Sequence, residues 1–181
     1  MEVTNILEFS EDCHPLNLNQ NLRQDLAPET FPGKDLARYH LLLTSAGGGY
    51  SRWQEVSLTR RRADTTLDNW GSWLYIQNED NGALWSAGYQ PTATPSESQR
   101  VIFHPHMAEF HRRDHEIALT MEVTVALDDD VEIRLVTLTN ESDRPRRLRL
   151  TSYGEVSLAS PAADERHPAF AKLFVQSEYH A

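Results

Sequence analysis

IALTMEVTVALDDDVEIRLVTLTN, residues 117–140, is written with a period of two. Ile117, Leu119, Met121, Val123, Val125 and Leu127 fall at every second position, with Thr120, Glu122 and Thr124 between them. Successive side chains of a strand point to opposite faces, so this spacing predicts a long strand with one buried face. After Asp128-Asp129-Asp130 the row resumes with Val131, Ile133, Leu135 and Thr137, which predicts a hairpin. The acidic triplet lacks the spaced ligands and bridging glycine of a calcium loop and reads as a solvated turn.

The same alternation recurs along the chain. Asn140-Glu141-Ser142-Asp143 closes the next turn, and residues 146–153 alternate again with Leu148 and Leu150 facing in. Asn140 and Ser142 make a formal glycosylation site, read as chance because no secretory signal accompanies it. Further strands are predicted at 51–59, 71–77, 83–87, 99–104, 109–114 and 170–178. Asp80-Asn81-Gly82, Pro91, Pro95 and Pro105 separate them. Strands at this spacing, without helical patterns between, predict an all-β antiparallel sandwich or barrel. Residues 1–37 differ. A short helix is expected at 17–26, ended by Pro28, with Pro28, Pro32 and Gly33 forming a linker. The expected organisation is an N-terminal extension over 1–37 and a β-sandwich over 38–181.

A chain of 181 residues fits one domain or a large piece of one. It is 39% hydrophobic and 24% charged, as expected of a globular protein. Its net charge of −10 repels phosphate backbones and anionic lipid, which disfavours nucleic acid and membrane surfaces as partners. The N-terminal MEVTNILEFSEDCH lacks the regions of a signal peptide, and Cys13 is the single cysteine. A reducing, cytoplasmic location is expected.

Several groups of residues carry candidate chemistry. LLLTSAGGGYSRW (41–53) runs an apolar strand into three glycines, which mark a sharp turn or a close-contact surface. A sugar-contacting rim fits this segment. So does a tight hairpin whose Tyr50 and Trp53 pack inward. Arg60, Arg61 and Arg62 stand near Asp64 and Asp68, but arginines lower the pKa of a carboxyl that a general acid needs raised. Ion pairing is the expected role, with positioning of an anionic or polyhydroxy ligand as the alternative. His104, His106, His111 and His115 lie within FHPHMAEFHRRDH without a complete metal-ligand set, and a wet hairpin surface is expected. Trp53, Trp70, Trp73 and Trp85 read mainly as packing residues, with Trp70 partly exposed.

The blocks AGGGYSRW (46–53), LTRRRADTTLDNWGSWLYIQ (58–77), LWSAGYQPT (84–92), LTNESDRPRRLRLTSYGEV (138–156) and HPAFAKLFVQSEY (167–179) occur in order. Together they resemble the N-terminal β-domain of the cellobiose and chitobiose phosphorylases, glycoside hydrolase family 94 (glycosyltransferase 36). The corresponding region of cyclic β-1,2-glucan synthases is similar too. The resemblance implies a galactose mutarotase-like β-supersandwich. In the complete family it joins a helical (α/α)6 barrel whose one Asp protonates the leaving oxygen while inorganic phosphate attacks. That Asp lies outside this chain, which stops at Ala181. The expectation is therefore an incomplete sandwich with no catalytic residue, no metal and no cofactor of its own.

By position, the resemblance offers Gly49, Tyr50, Ser51 and Arg52, then His167, Phe170 and Lys172, as substrate-binding candidates. Arg62, Asp64, Asp68 and Trp70 join them, and each has a structural role as its alternative. Three functions follow. The first is non-catalytic binding of a β-glucan oligosaccharide, with a helical catalytic half acting in trans. The second is an assembly module that forms homo-oligomers through exposed strand edges. The third is a mutarotase-like epimerase, for which His104, His106 and Glu109 are the available set.

Overall fold

The computed structural model describes residues 38–62, 67–126 and 129–178. Expectations for 1–37, Cys13, Asp64, Leu127 and Asp128 fall outside these residues. β1 (Tyr39–Leu43), β2 (Gly49–Trp53) and β3 (Val56–Thr59) come first. β4 (Ser72–Asn78) and β5 (Leu84–Ser86) follow. Next come β6 (Ser98–Phe103), β7 (Met107–Asp114), β8 (Ile117–Val125) and β9 (Glu132–Asn140). β10 (Leu148–Gly154) and β11 (Val156–Ala159) lead into α1 (Pro161–Arg166) and α2 (Pro168–Lys172).

Three antiparallel sheets result: β6-β7-β8-β9, β10-β4-β5 and β1-β2-β3-β11. The predicted hairpin forms, with Ile117 opposite Asn140 and Val125 opposite Glu132. The inner row of β8 is buried as its alternation requires: Ile117, Leu119, Met121 and Val123 keep at most 4% of their surface. They meet Phe110 of β7, Ile76 of β4, Trp85 of β5 and Leu43 of β1 in one core. Burial of each such side chain contributes roughly 1.5–3 kcal/mol. The architecture is a β-sandwich.

Four expectations need correction. The 51–59 segment is two strands, because Gln54 takes a left-handed φ of 49° and turns the chain between β2 and β3. The 170–178 segment is not a strand: Pro168–Lys172 is helical, started by a proline whose missing N–H costs nothing there. β9 turns its expected inward row outward, leaving Ile133 and Leu135 exposed while Glu132 and Arg134 face in. Leu150 lies opposite buried Ile76 yet stays 46% exposed, because β10 is the outer strand of its sheet.

Candidate functional site

The glycine turn is the centre of a knot made by three separate segments. The amide of Gly49 donates to Trp70 O at 2.8 Å, and that of Gln90 donates to Ala46 O at 2.9 Å. The Gln90 side chain donates to Leu67 O at 2.6 Å. Two glycines make this closeness possible. Gly49 has a φ of +150°, and a Cβ on it would lie 1.8 Å from Leu42 O. A Cβ on Gly88 would lie 2.6 Å from Ala46 O. Only a residue without a side chain lets the backbones approach this far. Within the turn, Gly48 donates to Thr44 Oγ1 and Gly47 to Thr44 O, so these amides are already satisfied.

The knot carries a rim. Tyr89 is 44% exposed, Trp70 is half-buried, and the Asp68 carboxylate lies against Gly48. Tyr50 is half-buried with the Arg61 guanidinium 5.5 Å above its ring. Trp53 does not pack inward; its indole N–H donates to Asp130 Oδ2 at 2.7 Å. Asp130 therefore ties the acidic turn to β2 rather than only facing water. Beside the turn, Gly49, Ser51, Thr59, Ser72 and Arg134 line a crevice too tight to admit a water molecule. An ordinary ligand pocket encloses roughly 300 Å³ or more, so this crevice is not one.

Under this crevice lies a charge pair that the sequence reading missed. Glu132 is fully buried; its Oε2 accepts from Ser51 Oγ at 3.0 Å and its Oε1 from Arg134 Nε at 2.5 Å. Arg134 also donates to Ser72 O at 2.8 Å. Burial pushes the Glu132 carboxyl up, against the pull of Arg134. An upward shift is what a general acid needs, but both oxygens are occupied and neither reaches solvent. Glu132 thus ties β9 to β2, while Arg134 ties it to β4. Polar residues at alternate positions before Val136 were the available signal.

His167, Phe170 and Lys172 belong to a second cluster. Arg60 grips Asp164 through Nε and Nη2, Glu155 at 2.7 Å and Pro168 O at 2.9 Å. The Arg60 hydrogen bond is the chief reason that the Asp164 carboxyl sits below its ordinary value. Arg62 also turns to Asp164, 3.5 Å away, so the arginine run pairs with a distant carboxylate rather than with Asp68. Lys172 reaches Glu155 at 2.7 Å, and the His167 amide caps α1 on Ala163 O. Phe170 is 60% exposed and meets Phe174 edge-on at 5.2 Å. Adjacent strand residues face opposite ways, so Thr59 serves the crevice while Arg60 serves this clamp.

On the outer face of the β6-β7-β8-β9 sheet, Glu109 bridges His104 at 2.9 Å and His111 at 2.8 Å. The hydrogen bond with His111, then that with His104, holds its carboxyl below the usual range. His106 stands beside His104, with ring centroids 6.1 Å apart. The two imidazoles take opposite oxygens of one carboxylate. Among the described residues no group of three His, Cys, Asp or Glu is placed to hold a metal ion. No described helix is long and apolar enough to cross a membrane.

The family described as "Glycosyl hydrolase 94, supersandwich domain" matches residues 36–181. The chain is similar to cyclic beta-(1,2)-glucan synthase NdvB of Rhizobium meliloti, 35% identical over 77% of this chain and 5% of that one. It is similar to N,N'-diacetylchitobiose phosphorylase of Vibrio furnissii, 24% identical over 79% of this chain and 18% of that one. To 3-O-beta-D-glucopyranosyl-beta-D-glucuronide phosphorylase of Paenibacillus borealis it is 33% identical, over 54% of this chain and 13% of the relative. The chain thus spans less than a fifth of each of these relatives.

Proposed function

The chain belongs to the glycosyl hydrolase 94 supersandwich family, and from that premise we propose that it is a non-catalytic, carbohydrate-binding domain. Its ligand is a β-glucan oligosaccharide, in keeping with the glucan synthase and phosphorylase names of its relatives. The glycine knot carries this reading. Three segments distant in sequence are joined by backbone contacts, which supports a shared rim of Tyr89, Trp70 and Asp68 with Tyr50 next to Gly49. Aromatic rings accept the C–H faces of sugars, and fixed polar groups beside them orient hydroxyls. The crevice is shallow, so the rim is one wall of a cleft that a helical catalytic half completes.

In the non-catalytic reading, the two buried carboxyls have structural roles. Glu132 is sealed, and Arg60 holds Asp164 ionised in a clamp. The test is titration with β-1,2-gluco-oligosaccharides, followed by calorimetry and by the Trp70 indole and Tyr89 ring signals. Saturable movement of those signals at millimolar ligand is expected; silence in both measurements defeats the reading.

A second reading has its own observation. Phe170, Leu173 and Phe174 are 60%, 75% and 74% exposed, and this apolar run suits an assembly role in which another body covers it. Light scattering separates the two. A monomer that binds sugar removes the homo-oligomer, and a stable dimer that ignores sugar favours it.

A further inference from the structure

We propose that the face of the β1–β2 ladder bearing Arg52, Arg61 and His40 recognises an oxyanion, the carboxylate or phosphate group of a ligand. In a chain of net charge −10 carboxylates are plentiful, and most described arginines hold one. Among the described residues Arg52, Arg61, Arg100, Arg144 and Arg166 are in no ion pair, and of these Arg52 and Arg61 share one side of β2, since Arg61 lies over Tyr50. Arg52 sits opposite His40 on β1 and Ser57 on β3. Its Nε is shut off from water with no hydrogen-bond acceptor. A buried donor without an acceptor costs free energy, and in a native fold it points to a missing partner.

Arg61 is pre-positioned for the same partner. Its guanidinium lies 5.5 Å over the ring of Tyr50. Tyr50 is two residues before Arg52 on one strand, about 7 Å away on the same face. Stacking holds the guanidinium plane while leaving its edge N–H groups free to fork onto an oxyanion. His40, directly across the ladder from Arg52, supplies a further donor. Two guanidinium forks on one face match the several oxygens of a carboxylate or phosphate.

Tyr50 also belongs to the sugar-facing rim, so the ligand class that combines the two is a sugar carrying an acid group. That last step rests on the carbohydrate reading; the oxyanion site does not. The test records the arginine Nε–Hε signals of the 181-residue chain during titration with inorganic phosphate, D-glucuronate and D-glucose at constant ionic strength. Phosphate or glucuronate is expected to move the Arg52 and Arg61 signals saturably, and glucose to leave them still. Glucuronate acting alone marks a carboxylate site, and phosphate acting alone marks a free-phosphate site; either supports the proposal. R52Q and R61Q are each expected to weaken binding roughly tenfold or more, the loss of a charge-assisted hydrogen bond. No saturable movement in the unaltered chain with either anion at millimolar concentration overturns it. Movement with phosphate, together with silence of Trp70 and Tyr89 toward oligosaccharide, leaves this site standing while the rim reading falls.

Discussion

Strands β8 and β9 lie side by side, hydrogen-bonded from Ile117↔Asn140 to Val125↔Glu132, yet they fill their inner faces by different means. β8 points Ile117, Leu119, Met121 and Val123 into the core and threonines outward. β9 is split. Its second half points Val136 and Leu138 inward, whereas its first half points Glu132 and Arg134 inward and leaves Ile133 and Leu135 at 41% and 57% exposure. An apolar residue gains from burial wherever it is placed. A charged residue is tolerated inside only when its hydrogen bonds are met there. Glu132 meets that condition because Ser51 and Arg134 occupy its two oxygens. Two neighbouring strands thus show two ways of being inside, one unspecific and one dependent on named partners.

The comparison breaks most sharply at the charge. Glu132→Ala strands Arg134 and Ser51 and is expected to cost about 3–5 kcal/mol in urea unfolding, as for a broken buried pair. Replacing both charges, Glu132→Leu with Arg134→Met, should recover most of that loss; a double variant as weak as the single one refutes the pairing account. On β8, Leu119→Ala is expected to cost about 2–5 kcal/mol, through lost burial and the cavity left behind.

Opposed pH slopes come next in size. The Glu132 carboxyl is pushed up by burial, so in the folded state it binds a proton that the unfolded chain has released. Its contribution is present below the ordinary glutamate pKa and is lost as pH rises through the raised value. Asp164 is held down by Arg60, so its contribution is present above the ordinary aspartate pKa and is lost as pH falls through the lowered one. In stability–pH curves Glu132→Gln should flatten the loss on the alkaline side of the ordinary carboxylate range, and Asp164→Asn the loss on the acid side. An unchanged curve in either variant refutes the corresponding assignment. The smallest effect belongs to the outward face of β9: Leu135→Thr is expected to shift the unfolding free energy by no more than about 0.5 kcal/mol.

Some of this was legible residue by residue. The β8 row could be read because each of its inward positions is apolar and each interval is two. The glycine turn could be read because three glycines in a strand pattern have few other uses. The candidate rim was half legible. Tyr50, Asp68 and Trp70 lie near the glycines in sequence, whereas Tyr89 and Gln90 join only because Gly88 lets a third segment approach. Arg60 was seen as part of a basic run, but its partner lies 104 residues away and no local spacing names it.

By itself, then, the sequence determined an antiparallel β-architecture, the buried face of β8 and the site of the glycine turn. These follow from side-chain period and backbone freedom, which are properties of adjacent residues. Tertiary structure alone decided the face of β9, the helix at Pro168–Lys172 and the clamp of Arg60 on Asp164. In β9 the apolar residues change sides at Leu135-Val136, so either register buries some of them. The choice falls to whichever one gives Glu132 its partner on β2 and Arg134 its partner on β4.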